Sequence, residues 1–145
     1  MFELSEFYQY CRSHQVDVIP FLGMPAMGAT LRDGEDLAVF LDFSQIRSTR
    51  QLRGVCMHEQ GHVATGALHT VTSPYETVER SEYRAHRWTA EHCLKEADFR
   101  EAFSCGCREL WELAEYFDLP EQDVAKALTY WKDRRGTDFS QSIDN

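Results

Sequence analysis

His58-Glu59-Gln60-Gly61-His62 sets two histidines four residues apart, a spacing that puts both on one face only if the segment is helical. On that face the two rings can offer nitrogens to a single divalent metal. Glu59, one residue round from the first of them, can hold and deprotonate a water on that metal. The flanking residues support the helix this chemistry needs. Leu52, Val55 and Cys56 lead into the string with apolar groups, Ser48 or Thr49 can cap its start, and Gly66 can stop it just past Thr65. Metal-assisted hydrolysis, most naturally of a peptide bond, is the chemistry the string suggests.

Upstream, Phe2, Phe7, Tyr10 and Cys11 fall at helical spacing and predict a helix ending near His14. A short β-like piece, Val16-Asp17-Val18-Ile19-Pro20, follows. Thr30-Leu31-Arg32 and Leu37 to Phe43 then read as two strands around Asp33-Gly34-Glu35-Asp36, an Asp-Gly turn between apolar runs. Downstream, Ser73-Pro74 marks a loop and Glu79 to Lys95 a second long helix. A short helix is expected around Phe99 to Phe103, then a pair, Leu110 to Phe117 and Glu121 to Trp131, broken at Leu119-Pro120. The order is one helix, a small antiparallel sheet, then helices, which is an α+β pattern. Residues 1–135 are expected to form one domain, and 136–145 a polar tail.

Composition narrows the function. The chain has 145 residues, 43% of them hydrophobic, enough for a real core. Its formal charge is −9 and no long basic run offsets it, which disfavours direct binding to nucleic acid or to anionic membranes. Met1-Phe2-Glu3-Leu4-Ser5-Glu6 has neither a basic n-region nor an apolar h-region, so no secretory leader is expected. No stretch approaches the roughly 18 apolar residues of a membrane span. Five cysteines without framework spacing fit free thiols in a reducing cytoplasm.

Two histidines do not complete a catalytic metal site, which usually takes three protein ligands. A third His six residues beyond the second would fall on Leu68, and His69 is off register. A carboxylate from the next helix is the other common solution. Glu76, Glu79, Glu82 and Glu91 are the candidates, and Glu82, twenty residues past His62, is favoured. Spacing separates it from Glu79 only weakly.

The segment Glu82-Tyr83-Arg84-Ala85-His86-Arg87-Trp88-Thr89-Ala90-Glu91 resembles the E-x-x-A-N-x-F-A-x-E segment that follows HExxH in the ImmA/IrrE family of metallopeptidases. The strand-like Leu37 to Phe43 and the Thr65-Gly66 and Ser73-Pro74-Tyr75 stretches are similar to that family too. Together the likeness covers roughly Met27 to Tyr130, with motifs specific in combination. It implies Zn²⁺ held by His58, His62 and Glu82, with Glu59 as general base. It also implies a small antiparallel sheet packed on a zincin-like pair of active-site helices, followed by further C-terminal helices. By the same resemblance, the substrate is a protein, a helix-turn-helix repressor of a prophage or mobile element.

The match has departures. His86 stands where the family usually carries Asn, four residues from Glu82, where it can orient a ligating imidazole or compete as a ligand. Gln60 replaces an apolar residue at a position off the metal face. The family's frequent N-terminal helix-turn-helix domain has no counterpart, since the sheet begins near residue 16. His69, Tyr75, Tyr83 and His86 are all candidates to stabilise an oxyanion.

Other patterns carry less. Cys105-Gly106-Cys107, with His92 and Cys93 upstream, lacks the paired spacing of structural zinc, and free thiols are the expected reading. Leu110 to Leu128 looks like a helix-turn-helix, but Arg108 to Arg135 carries seven acids against five bases, the wrong balance for tracking phosphates. A packing hairpin is expected there. The competing function is a non-proteolytic zinc-binding regulatory module of the same fold. Peptide deformylase, which also uses HExxH, needs an upstream Glu-Gly-Cys-Leu ligand segment that this chain lacks.

Overall fold

The protein is described from a computed structural model that covers residues 1–68 and 73–143. Its elements in chain order are α1 (Leu4–Ser13), β1 (Asp17–Pro20), β2 (Gly28–Asp33), β3 (Asp36–Leu41), α2 (Thr49–Thr65), α3 (Tyr75–His92), α4 (Glu96–Ser104), α5 (Leu110–Phe117), α6 (Glu121–Thr129) and α7 (Ser140–Ile143). A π-helical turn, Tyr130–Arg134, continues α6. The class is α+β, as expected.

The sheet differs from the expectation. Its order is β1-β3-β2, with β2 antiparallel to β3 and β1 parallel to it, so the sheet is mixed and not purely antiparallel. The hairpin half is local, closing at the Asp33↔Asp36 pair with Gly34 at φ +64°. The parallel half is not. The chain leaves β1, crosses through residues 21–27 and returns as β2 on the far side of β3. That places β3, with Val39 and Leu41 fully buried, in the centre. Pro20, which has no N–H to give a ladder, stays on an edge strand. β3 is therefore not an edge; β1 and β2 are.

β3 also stops at Leu41, before the expected Phe43, because the next residue is used otherwise. The Asp42 carboxylate is fully buried and accepts from the backbone N–H groups of Gly23 and Met24, each at 3.0 Å, and from Ser44 and the Gln45 amide. The hydrogen bonds from Ser44 and Gln45 hold it well below the usual carboxylate range. Asp42 thereby fixes the 21–27 crossover, on which one wall of the cleft is built.

α2 runs through the centre of the molecule. Ser48 caps it, accepting from the Gln51 N–H at 3.1 Å, and Gly66 ends it at φ +65° with its N–H on the His62 carbonyl. α3 packs along α2. It begins at Tyr75, directly after Pro74 and four residues earlier than expected, and ends at His92, three residues before Lys95. The approach of the two helices is set at Gly61. A Cβ there would lie 2.7 Å from the Ala85 carbonyl oxygen and 3.1 Å from Thr89 Cγ2. Only a glycine lets the backbones meet this closely.

Phe7, Cys56, Phe99, Leu113, Phe117, Leu119 and Val124 join Val39 and Leu41 of β3 in one core. The segment expected as a polar tail also packs. Phe139 is 3% exposed beneath the Arg100 guanidinium, and Arg100 donates to the Asp138 carbonyl and to Ser142 Oγ on α7. Residues 136–143 therefore belong to the folded unit. No helix among the described residues is long and apolar enough to cross a membrane.

Candidate metal centre

α2 and α3 bring three ligand atoms to one point. His58 Nε2 and His62 Nε2 are 3.2 Å apart, His58 Nε2 is 3.0 Å from Glu82 Oε2, and His62 Nε2 is 3.1 Å from Glu82 Oε1. A tetrahedral zinc with bonds of about 2.0–2.1 Å separates its ligand atoms by about 3.3 Å, so two imidazoles and a carboxylate held this way fit such an ion. His62 Nδ1–H donates to the Ala67 carbonyl at 2.7 Å, which fixes the ring with Nε2 inward.

A second, looser triad shares two of these residues. His58, Glu82 and His86 also have ligand atoms within 4.8 Å of one another, with His86 Nε2 3.8 Å from Glu82 Oε2. The His58–His62–Glu82 set is the tighter, and both of its histidines touch the carboxylate at hydrogen-bond distance. His86 stands one turn of α3 beyond it, its ring centroid 5.0 Å from that of His58.

The charges agree with the packing. Burial works against an ionised Glu82, but its contacts with His58 and His62 hold it far below the normal carboxylate range. Burial likewise works against a charged His62, yet Glu82, the Ala67 carbonyl and Glu59 together raise its pKa. His86 is pushed down to about 4, first by burial and then by the neighbouring His58 and Lys126, so its ring is neutral at pH 7.

Glu59 lies on the adjoining face of α2, 5% exposed, and is held by β2. Thr30 Oγ1 donates to Glu59 Oε1 at 2.9 Å. Gly28, two residues earlier on the strand, makes room: a Cβ there would lie 2.6 Å from Val55 Cγ1 and 3.3 Å from Glu59 Cγ. His58, Glu59, His62, Glu82 and His86 all border one cleft of about 1560 Å³. One wall is the crossover and β2, apolar at Phe21, Met24, Met27 and Leu31. The other is the start of α6, at Pro120, Glu121, Gln122, Asp123 and Lys126.

The remaining candidates separate cleanly. Glu76, Glu79 and Tyr83 border a different surface hollow with Arg134, and Glu91 pairs with Arg87 at 3.0 Å and with the Tyr130 hydroxyl. Tyr75 is 74% exposed and does not border the cleft. His69 lies outside the described residues. Of the described oxyanion candidates, only His86 borders the cleft. Cys105 is exposed and Cys107 half-buried; His92 stacks on Trp88, and Cys93 is buried. Among the described residues, no other group of histidines, cysteines and carboxylates is arranged to hold a metal.

Sequence reading missed Thr30, Gly28, Asp123 and Lys126. A threonine in a strand and charges in an acidic helical hairpin carry no local mark of a cleft; only the tertiary fold brings them there. No protein-family model, no curated protein and no solved structure matches this chain.

Proposed function

We propose that the protein is a zinc-dependent endopeptidase, with Zn²⁺ held by His58, His62 and Glu82 and with Glu59 as general base. The observation that carries this reading is the meeting of those three ligand atoms at 3.0–3.2 Å beside a buried, anchored carboxylate. Zinc bound there would supply a Lewis acid, polarising the scissile carbonyl and making water acidic enough to deprotonate at neutral pH. The protein does the rest. Glu59, steadied by Thr30, takes the proton from the attacking water and later returns it to the departing amine. The neutral His86 can donate a hydrogen bond to the carbonyl oxygen as its negative charge grows.

The cleft suits an extended peptide. β2 has β3 on one side only, so its outer edge can pair with a substrate backbone along the apolar wall. On this reading the helices that carry HExxH and Glu82 are the zincin-like pair of the proposed peptidase. On the ImmA/IrrE likeness, the substrate is a helix-turn-helix repressor of a prophage or mobile element, cleaved in the cytoplasm.

Glu59→Gln tests the assignment. The variant is expected to bind zinc as the native protein does and to lose cleavage of the repressor encoded beside it by at least about 10³-fold, the native activity being abolished by a chelator. Zinc-loaded native protein that leaves that repressor and unstructured peptides intact would instead indicate a non-proteolytic metal-binding module.

A further inference from the structure

The two walls of the cleft differ in chemistry. They rise from neighbouring faces of α2, where Val55 and Glu59 meet Gly28 on β2 and Gly54 meets Pro120 and Asp123 on α6. The β2 wall is apolar, whereas the α6 wall is polar and carries Glu121, Gln122 and Asp123. Asp123 lies deepest. A Cβ on Gly54 would come within 2.6 Å of its Oδ2 and within 2.7–2.8 Å of the Pro120 ring, so the carboxylate rests on the backbone of α2 one turn before His58. It is half-buried, and its side chain makes no hydrogen bond or ion pair among the described residues. Burial raises its pKa, His58 and Lys126 opposing that only from a distance.

We infer that the α6 wall is a subsite for a cationic side chain, and that Asp123 selects substrates with lysine or arginine beside the scissile bond. The inference rests on the peptidase reading above and adds its substrate class. The Asp123 carboxylate opens onto the cleft and accepts no hydrogen bond from a described residue, so a guanidinium or ammonium entering the cleft can make a charge-assisted hydrogen bond to it. Exposed Glu121, at the rim, adds attraction of the same sign. Lys126, one turn further along α6, acts on both His86 and Asp123 and repels a cation from its own end of the wall, which leaves the Gly54 side of Asp123 as the favoured approach. The opposite wall carries no charged side chain and, apart from Thr30, is apolar, so the favoured substrate pairs a basic residue on one side of the bond with an apolar residue on the other.

The test uses the full chain, zinc-loaded, and otherwise identical peptides carrying arginine, norleucine or glutamate at each position flanking the cleaved bond. Cleavage is followed with the native Glu59, and binding by fluorescence anisotropy with Glu59→Gln. Arginine is expected to exceed norleucine by about tenfold or more at one position, with glutamate worst. Asp123→Asn, nearly isosteric, is expected to level arginine and norleucine in both readouts. Raising salt from about 50 mM to about 500 mM is expected to shrink the native preference, a check that needs no variant. Cleavage or binding indifferent to the flanking charge overturns the subsite. So does a preference that survives Asp123→Asn in a variant that melts like the native protein. Selective binding without cleavage keeps the subsite and overturns the peptidase reading.

Discussion

Thr30 is the residue that ties Glu59, the proposed base, to the sheet. Its hydroxyl donates to Glu59 Oε1 at 2.9 Å and is itself only 7% exposed. A carboxylate able to swing over several rotamers would spend little time aimed at the reacting water; the hydroxyl restricts it. Thr30→Val keeps the shape and removes the donor. It is expected to lower kcat by about tenfold to a hundredfold with KM nearly unchanged, while Thr30→Ser retains most of the native rate. A fall shared equally by Val and Ser would assign the effect to strand packing. At this level the sequence was legible wherever the chemistry was local. The HExxH spacing pointed to three of the side chains that meet at the cleft, and the setting of Glu82 pointed to a fourth. Thr30 and Asp123 reach the same cleft from 29 residues before Glu59 and from the far helical hairpin, and no periodicity in either segment points there.

The packing of α3 on α2 decides whether Glu82 can reach the histidines at all. Gly61 faces the Ala85 carbonyl, and Ala85 lies one turn from Glu82, so this contact controls the distance between the two halves of the candidate metal site. A methyl at position 61 would press against backbone, which cannot rotate away as a side chain can. Gly61→Ala is expected to destabilise the fold by about 1–3 kcal/mol in chemical denaturation. It is also expected to weaken zinc binding by tenfold or so in a competition titration with a chromogenic chelator. Gln60→Leu, one residue away, leaves that contact alone and is expected to keep native zinc affinity. The helices were readable for the same reason that Gly61 was present: Ser48, Gly66 and Pro74 are strong local punctuation. The parallel β1–β3 pairing was not. It joins segments separated by a crossover, and nothing within β1 states which partner it takes.

Arg53 connects the parts that lie outside this two-helix unit. It sits on α2, 8% exposed, with its guanidinium donating to the carbonyl oxygens of Phe2 at 2.6 Å, Asp118 at 2.9 Å and Phe117 at 3.3 Å. The N-terminus, the central helix and the turn between α5 and α6 therefore meet on one side chain. Asp118, held at φ +53°, ends α5 there and aims α6 at the cleft. The carboxylates of Glu3 and Asp118, at 3.7 and 3.5 Å, are more than half exposed, so their ion pairs with Arg53 contribute little. The hydrogen bonds to buried carbonyls matter more, because without Arg53 those oxygens have lost water and gained no donor. Arg53→Met preserves the aliphatic stem and removes the fork. It is expected to cost about 2–4 kcal/mol in urea denaturation, with Arg53→Lys recovering only part, since one ammonium cannot span three acceptors. If α6 owes its position to this clamp, then under conditions where Arg53→Met remains folded, zinc affinity should stay near native. The preference for a basic residue at the Asp123 wall should meanwhile weaken, because the candidate metal ligands come from α2 and α3 alone and the wall depends on the turn that Arg53 holds.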